Sequence, residues 1–341
     1  MRIMQAIAGR NEGGAERFFT RLAIALAEID SIEQMILMRP HERWLSQIEE
    51  AGLPVSNCKF GGVFDFRSRH LFKEKLDNFR PDIVVNWMSR ATKYCPSGKW
   101  KKVARLGGYY PLKYYRGCDA LIGNTKGICD YLISSGVPHQ NVFHIPNFTE
   151  TSAHKKKRNE QNSLFNKQRT VLAIGRLHKN KGFDTLLHAI KSLPELKLVL
   201  AGSGPEEDRL KRMAVELGLS NRVDFLGWVD DPTSLFQSAD LFVCPSRIEP
   251  LGNVILEAWV NRCPIVSSRS AGGLELIEDE VQGLLFDIED AVGLVRQISR
   301  ILDDDQLSNA MTTAGYEKYE ENFSKSAVLE KYHTFFREII A

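Results

Sequence analysis

The sequence predicts an α/β protein made of two doubly wound domains that face each other across a cleft. Length is the first observation, because 341 residues are roughly twice an ordinary domain of about 150 residues. The second is that short β-rich runs alternate with helical patterns, which is typical of βαβ units and parallel sheets. The third is that this alternation is interrupted once, by the polar and charged residues 151–169, and then resumes.

The first alternating series predicts an N-terminal domain over residues 1–150. Its predicted strands are RIMQAI, QMILM, DIVVNW, KVARL and ALIGN. Helical patterns over residues 14–28 and 41–51 follow the first two strands. Residues 151–169 have no hydrophobic periodicity, so they predict an interdomain linker.

The second series predicts a C-terminal domain over residues 170–320. Its predicted strands are TVLAIG, LKLVLAG, RVDFLG, ADLFVCP and PIVSS, with helical patterns between them. We expect residues 321–341 to form a final helix that packs back toward the N-terminal domain. Because α/β sheets bind ligands at the carboxyl ends of their strands, two such domains predict a ligand cleft.

The composition indicates a folded protein outside the membrane. Hydrophobic residues make up 43% and charged residues 26%, which excludes the disordered and fibrous classes. Six scattered cysteines without a CxxC pair predict neither a zinc site nor a disulfide framework. No run reaches the roughly 20 apolar residues of a membrane span, and the first apolar run is too short for a secretion signal. We therefore expect a cytoplasmic protein.

The stretch RIEPLGNVILEAW contains two glutamates, Glu249 and Glu257, eight positions apart in apolar sequence. A helix starting at Leu251 or Gly252 would present free N–H groups to a phosphate, with no side chain at the glycine to block it. Asn253 and Glu257 are one helical turn apart, so Glu257 can reach a vicinal diol such as a ribose. Glu249 precedes the helix and can accept hydrogen bonds from sugar hydroxyls. The alternative is a surface carboxylate at 257 and a helix-start residue at 249 favoured by the dipole.

Two further groups lie at predicted strand ends. Arg176 ends the first strand of the second domain and Lys181 precedes a helix, so both cations suit a diphosphate leaving group. Gly13 and Gly14 follow the first strand and open a helix, which allows a sugar or phosphate to approach the backbone. The alternative for the two cations is that they are solvated surface charges. The alternative for the two glycines is that they form a simple tight turn. The acidic run at residues 303–305 follows a late helix and is interpreted as a solvated turn, so no metal motif is predicted.

The motifs GRLHKNKGFDTLL, LVLAGSGPEEDRLKRMA, VDFLGWV and ADLFVCPSRIEPLGNVILEAW occur in that order. Together with GGAERFFTRLA near the start, they resemble the retaining family-4 glycosyltransferases of the GT-B fold, of the bacterial cell-envelope type. The resemblance implies Rossmann-like domains, the first binding the acceptor and the second the nucleotide-sugar donor. It also implies no metal, no tightly bound cofactor and transfer with retention at the anomeric carbon. We favour a UDP-sugar over a GDP-sugar as the substrate.

The resemblance also implies roles for individual residues. Those implied to bind the donor are Gly13, Gly14, Arg176, Lys181, Glu249, Leu251, Gly252, Asn253 and Glu257. Arg176, Lys181 and Glu249 are the implied catalytic residues. Many relatives carry a histidine after a strand like DIVVNW, but this chain has NWMSRATKY there, so that role is not transferred. Catalysis is then expected to come from positioning and from charge stabilisation on the diphosphate.

Residues 80–116 contain nine Lys or Arg against one acid, interleaved with aromatic residues. Aromatic rings pack on sugar faces and cations neutralise phosphate, so this stretch predicts a phosphorylated glycan or glycolipid acceptor. The residues expected to bind the acceptor are Asn86, Ser89, Arg90, Tyr109 and Tyr110. Basic charge also suits peripheral contact with the inner face of the cytoplasmic membrane. The alternative to an acceptor site is that the lysines and arginines only make the protein soluble and that the tyrosines are half-buried packing residues. Basic and aromatic residues also bind nucleic acids, but the absence of a nucleic-acid-binding motif argues against RNA or DNA as the ligand.

The sequence therefore predicts a metal-independent retaining hexosyltransferase acting on a cell-envelope glycan or glycolipid such as lipopolysaccharide core. A GT-B epimerase or phosphorylase-type enzyme is one alternative, and no motif for a pyridoxal phosphate lysine supports the latter. A catalytically silent GT-B binding subunit is the other. The chain keeps the predicted donor-site residues, which argues against a catalytically silent subunit: Arg176, Lys181, Glu249 and Glu257.

Overall fold

The computed structural model describes residues 1–9, 13–62, 64–150 and 168–341. The chain divides into two units, the first formed by Met1–Phe148 with Lys325–Ala341 and the second by Thr149–Ser324. Each unit is built on a parallel sheet flanked by helices. The predicted α/β class with two Rossmann-like domains is confirmed. Of the predicted linker, only residues 168 and 169 lie within the described part of the chain.

Seven strands form the sheet of the first unit. They are β1 Arg2–Ile7, β2 Glu33–Met38, β3 Val55–Asn57, β4 Ile83–Trp87, β5 Lys101–Leu106, β6 Ala120–Gly123 and β7 Val142–His144. Their order is β3-β2-β1-β4-β5-β6-β7, and all neighbours are parallel. The chain winds outward from β1 in one direction and from β4 in the other, so the topological switch point lies between these two strands.

Five helices connect these strands. They are α1 Gly14–Ala27, α2 Glu42–Glu50, α3 Phe66–Phe79, α4 Met88–Tyr94 and α5 Lys126–Ser134. Helix α1 buries Phe18, Phe19 and Leu22 against the sheet. Residue positions three and four apart share one face of a helix, which explains why this spacing produces a buried face.

The second unit contains a six-stranded parallel sheet in the order β10-β9-β8-β11-β12-β13. Its strands are β8 Thr170–Ile174, β9 Lys197–Ala201, β10 Val223–Gly227, β11 Leu241–Cys244, β12 Ile265–Ser268 and β13 Leu284–Phe286. Here the switch point lies between β8 and β11. The segments that follow these two strands therefore emerge side by side at the carboxyl edge.

Helices cover both faces of this second sheet. They are α6 Phe183–Lys191, α7 Glu207–Glu216, α8 Thr233–Ser238, α9 Asn253–Val260, α10 Ala271–Leu276, α11 Ala291–Asp303 and α12 Asp305–Asn322. One core cluster includes residues of α6 and α11, and another includes residues of α9 and α12. None of the helices in the described ranges is long and apolar enough to cross a membrane.

The last helix, α13 Lys325–Ile340, belongs to the first unit although it follows the second in sequence. Tyr332 and Phe336 are buried in the same core as Trp87. Burying an aromatic side chain of this size contributes roughly 2 kcal/mol. Arg105 of β5 donates its Nε–H to Tyr332 Oη at 2.8 Å, and its guanidinium carbon lies 4.7 Å from the centre of the Trp87 ring. The helix is therefore an integral part of the first unit.

Candidate functional site

The carboxyl edge of the second sheet brings two chain segments together. Strands β8 and β11 are paired neighbours, so the residues after Ile174 lie beside those after Cys244. The first segment carries Arg176 and Lys181, and the second carries Glu249. The sequence predicts all three as site residues, Arg176 and Lys181 from one motif and Glu249 from another, and the switch point explains why the two segments meet.

Lys181 and Glu249 form an ion pair at this edge. Lys181 Nζ donates to Glu249 Oε2, and the two side chains are 21% and 12% exposed. Ser246 Oγ donates to the same carboxylate oxygen at 3.4 Å. Burial alone would lower the pKa of Lys181, but the adjacent Glu249 carboxylate outweighs burial and raises that pKa above its ordinary value. The ammonium group therefore keeps its positive charge at neutral pH.

The turn that carries Lys181 is fastened to the Glu249 segment through the backbone. The N–H groups of Arg247 and Ile248 both donate to the carbonyl of Asn180, at 2.7 and 3.1 Å. Gly182 has φ +64° and lies so close that an added Cβ would be 2.1 Å from the carbonyl oxygen of Pro245. Only glycine fits this position, because a side chain would push the two segments apart.

A network centred on Arg247 holds the same turn through side chains. Its Nη1 donates to the Lys179 carbonyl and to Asp184 Oδ1, both at 2.8 Å, and its Nε donates to Glu289. Arg209 donates to the other oxygen of Asp184 at 3.2 Å. Burial alone would raise the pKa of Asp184, but the hydrogen bonds from the two arginines outweigh it and hold that pKa below its ordinary value.

The sequence alone does not reveal this network. Arg247 lies inside the RIEPLGN motif, but its partner Asp184 is 63 positions away. The only signal in the sequence is that Asp184 lies in the first turn of α6, directly after a basic turn. Such a residue is also explained by the helix dipole alone, so the signal does not identify its partner.

Helix α9 begins at Asn253, so the predicted start at Leu251 or Gly252 is wrong by one or two residues. Gly252 is the N-cap and has a left-handed backbone, φ +84°, which ends the preceding turn and excludes this residue from the helix. The side chain of Leu251 is buried in the core, 4% exposed, so this residue can offer a ligand only its backbone. Asn253 and Glu257 are half-buried on successive turns of α9.

Arg176 is exposed and, within the ranges that the structure describes, has no ion-pair partner. In the first unit, Gly13 is the N-cap of α1 with an extended backbone, φ −97°, and α1 begins at Gly14. An added Cβ at Gly13 would lie 2.6 Å from a carboxylate oxygen of Glu16. This glycine therefore has a local steric role, and ligand binding by the glycine pair stays a prediction. Residues 10–12 of the same loop lie outside the described residues.

The predicted acceptor residues lie in different environments. Asn86 is fully buried within β4, and its Nδ2 donates to two main-chain carbonyls at 3.0 and 3.3 Å. Contact between Asn86 and an acceptor therefore stays a prediction, and β4 extends one residue beyond this buried side chain. Ser89 is half-buried, whereas Arg90 is exposed and donates to the Phe60 carbonyl at 3.2 Å.

Tyr109 and Tyr110 follow β5 and are 50% and 44% exposed. Tyr131 packs edge-on against the Tyr109 ring and donates its hydroxyl to the Tyr110 carbonyl at 3.0 Å. Lys99 and Lys101 lie at the opposite, amino end of β5, where they line a groove of about 1180 Å³. The basic and aromatic stretch 80–116 thus contributes to both edges of the sheet rather than to one surface.

Comparison with known proteins places these motifs in a family. A model described as glycosyl transferases group 1 matches residues 154–318. The lipopolysaccharide core biosynthesis glycosyltransferase LpsE of Rhizobium meliloti is 35% identical, over 94% of this chain and 95% of its own length. LpsD, a lipopolysaccharide core biosynthesis glycosyltransferase of the same organism, is 33% identical over 100% of this chain and 99% of its own.

Solved structures share the fold. Anabaena HepE, solved in complex with UDP and glucose, has a TM-score of 0.85 at 20% identity, covering 99% of this chain and 100% of its own. The lipopolysaccharide outer core galactosyltransferase WaaB in its apo form has a TM-score of 0.75 at 17% identity, covering 99% and 100%. These neighbours are GT-B glycosyltransferases, so the two Rossmann-like units have the GT-B fold. Among the described residues, no group of His, Cys, Asp or Glu side chains could hold a metal ion.

Proposed function

Since the chain belongs to the group 1 glycosyltransferases, we propose that it is a retaining, metal-independent enzyme of family 4. It transfers a hexose from a nucleoside-diphosphate sugar to a hydroxyl of a cell-envelope glycan or glycolipid such as lipopolysaccharide core. The observation that carries this proposal is the partly buried Lys181–Glu249 pair at the carboxyl ends of β8 and β11. A fixed cation beside a fixed carboxylate suits a ligand that has both a phosphate and a hydroxylated sugar.

The donor is bound by groups along this edge. Lys181 and Arg176 bind the diphosphate, and the backbone at Gly252 and Asn253 binds a phosphate at the start of α9. Glu257, one turn further along α9, accepts hydrogen bonds from the ribose hydroxyls, and Glu249 accepts them from the donor sugar. An ammonium group has three N–H donors, so Lys181 can retain Glu249 while it contacts a phosphate oxygen.

Transfer breaks the bond between the anomeric carbon and the diphosphate oxygen and forms a bond to the acceptor oxygen on the same face. The acceptor proton moves to the departing diphosphate oxygen. Lys181 and Arg176 stabilise the negative charge that develops on this leaving group. The raised pKa of Lys181 supports this role, because the cation is present throughout the neutral range. Glu249 orients the sugar and, through its ion pair, the Lys181 ammonium group.

The donor base is proposed to be uracil. HepE, which shares the fold, was solved with UDP-glucose, and this supports the choice. The acceptor is proposed to be a phosphorylated envelope glycan, supported by the LpsE and LpsD relatives, both described as lipopolysaccharide core biosynthesis enzymes. Arg90, Tyr109 and Tyr110 of the first unit are the proposed acceptor contacts. Their basic and aromatic character also supports peripheral contact with an anionic membrane surface.

Calorimetry and thermal unfolding with UDP-, GDP- and ADP-sugars test the donor assignment, with NAD and divalent metal alone as controls. We expect one UDP-sugar to bind selectively. Glu257→Ala should weaken this binding by about tenfold, as expected for the loss of a charged hydrogen bond worth roughly 1.5 kcal/mol. If the variant binds the nucleotide sugar as tightly as the wild type, Glu257 does not bind the ribose. No response of the wild-type protein to any nucleotide sugar would refute the donor proposal.

A further inference from the structure

Two large aromatic side chains are exposed at the start of α3. Phe64 is 86% exposed, and Phe66, the first residue of the helix, is 69% exposed. An exposed phenylalanine gives up the stabilisation that its burial would contribute to the fold. Exposed apolar side chains that lie close together are typical of surfaces that contact another molecule, whereas single ones need no explanation. This pair therefore marks a candidate contact surface.

The backbone that carries the two phenylalanines is held in place by hydrogen bonds. Asp65, the N-cap of α3, accepts from the N–H of Ser68 at 3.0 Å and from the N–H of Gly61 at 2.6 Å. The N–H of Phe66 donates to the Phe64 carbonyl at 3.0 Å. The exposure of both rings is therefore built into the turn that starts the helix.

Basic side chains flank these rings. Residues 66–73 contain no acid and four basic or titratable residues, Arg67, Arg69, His70 and Lys73. Phe66 and Lys73 are two turns apart, so they share the outward face of α3. Arg67 and Lys73 are exposed and have no ion-pair partner within the described part of the chain. The aromatic–basic patch is defined as Phe64, Phe66, Arg67, Arg69 and Lys73.

The aromatic–basic patch lies next to the helix that carries a proposed acceptor contact. Helix α3 follows β3, so its start lies at the carboxyl edge of the first sheet. Tyr94 of α4 donates its hydroxyl to the Gly62 carbonyl at 2.8 Å, and the Arg69 guanidinium carbon lies 5.2 Å from the centre of the Tyr94 ring. Arg90, one turn earlier in α4, is one of the proposed acceptor contacts. A partner bound to the patch therefore lies beside the acceptor.

Exposed aromatic rings flanked by basic side chains suit a lipid bilayer that contains anionic lipids. Aromatic rings enter the boundary between head groups and acyl chains, and the negative surface attracts each nearby Lys or Arg. We propose that the aromatic–basic patch docks the protein on an anionic membrane, with Phe64 and Phe66 inserted and Arg67 and Lys73 beside lipid phosphates. This inference rests on the membrane contact included in the proposed function, and it assigns that contact to a surface outside residues 80–116.

Cosedimentation of the full chain with vesicles tests the proposal. One set of vesicles contains about 30% phosphatidylglycerol in phosphatidylcholine, and the other contains phosphatidylcholine alone. We expect the wild type to bind the anionic vesicles more tightly and to lose this binding as salt is raised. Replacing both phenylalanines, Phe64→Ser with Phe66→Ser, should weaken binding by about tenfold or more, because two inserted rings are lost. Arg67→Gln should weaken it by about fivefold, as expected for one basic residue near an anionic surface.

Matched controls lie in the second unit. Val292→Ser replaces an apolar side chain that is 72% exposed, and Arg212→Gln replaces an exposed basic one. Both controls should bind the anionic vesicles as the wild type does. Arg67→Gln tests the same patch independently of any effect that the two serines have on folding.

Calorimetry with the UDP-sugar separates docking from the proposed transfer reaction, and the double serine variant should bind this donor with wild-type affinity. If the wild type binds a UDP-sugar but not the anionic vesicles, or if the double variant binds the vesicles as tightly as the wild type, docking by this patch is refuted while the transfer reaction stands. If the patch variants lose vesicle binding but the wild type binds no nucleotide sugar, the transfer reaction fails and the docking surface stands. Light scattering without lipid tests a second copy of the chain as the occupant. A wild-type dimer that the double variant converts to a monomer would refute membrane docking by the patch.

Discussion

The ammonium group of Lys181 is subject to two opposing influences, burial and the Glu249 carboxylate. The carboxylate has the larger effect, so the pKa of Lys181 rises and the cation is retained in a partly buried site. Its attraction for a diphosphate is greatest when the leaving group gains charge, because a low-dielectric site screens charges weakly. Lys181 should therefore stabilise the transition state more than the bound donor.

We therefore expect Lys181→Ala to lower kcat by about 100-fold or more and to change the donor KM by no more than about threefold. The measurement is nucleoside diphosphate release under saturating acceptor. Lys179→Ala is the control, because Lys179 is an exposed neighbour in the same turn and contributes only its carbonyl to the Arg247 network. Equal losses in kcat and donor affinity for Lys181→Ala would contradict transition-state stabilisation by this cation.

At the scale of elements, the turn before α6 and the segment before α9 act as one piece. Backbone hydrogen bonds from Arg247 and Ile248 to Asn180 join them, and the Arg247 side chain adds contacts to Lys179 and Asp184. Since Lys181 and Glu249 lie on these two segments, their pairing depends on the junction. The Arg247 network is thus expected to position the site without contacting the substrate.

Arg247→Ala should reduce kcat/KM for the donor by about tenfold, because misplacement of a charged group is costly at a preorganised site. It should also lower the free energy of unfolding of the second unit by about 1 to 2 kcal/mol, through lost hydrogen bonds to Asp184 and Lys179. Arg209→Ala is the matched control, since Arg209 also pairs with Asp184 but does not contact the turn backbone. If both variants lose activity equally, the pairing with Asp184, and not the hold on the turn, explains the effect. Arg247→Lys should recover part of the activity.

Apolar runs and motif order predict the elements of this site well. Strands β8 and β11 are buried and read as continuous apolar runs, and the motifs that follow them were correctly placed at strand ends. The start of α9 was missed because the left-handed backbone of Gly252 depends on local turn geometry. The full burial of Asn86 was missed for a different reason: both faces of a parallel strand are covered, so alternation cannot show which polar residue is buried. The Arg247–Asp184 pair depends on tertiary contacts that spacing does not reveal.

At the scale of the whole molecule, the chain leaves its first unit and returns to it. Helix α12 ends at Asn322 in the second unit, and α13 begins at Lys325 in the first. The last helix buries Val328, Tyr332 and Phe336 in the core that contains Trp87. Each unit has its own sheet and core, so a substitution in one core should affect mainly the unit to which it belongs.

A matched pair of core substitutions tests this division. Phe336→Ala in α13 removes a side chain that is 1% exposed and should destabilise the first unit by about 3 to 5 kcal/mol. Leu294→Ala in α11, at a position that is 0% exposed, should destabilise the second unit by about 2 to 5 kcal/mol. Calorimetric scans with and without UDP measure the temperature of each unfolding transition. Phe336→Ala should lower the temperature of a transition that UDP leaves unchanged. Leu294→Ala should lower the temperature of the transition that UDP raises. Because α13 lies next to α12 in sequence, the opposite pattern would mean that the last helix stabilises the second unit. The same shift from both substitutions would mean that the two cores unfold as one cooperative unit.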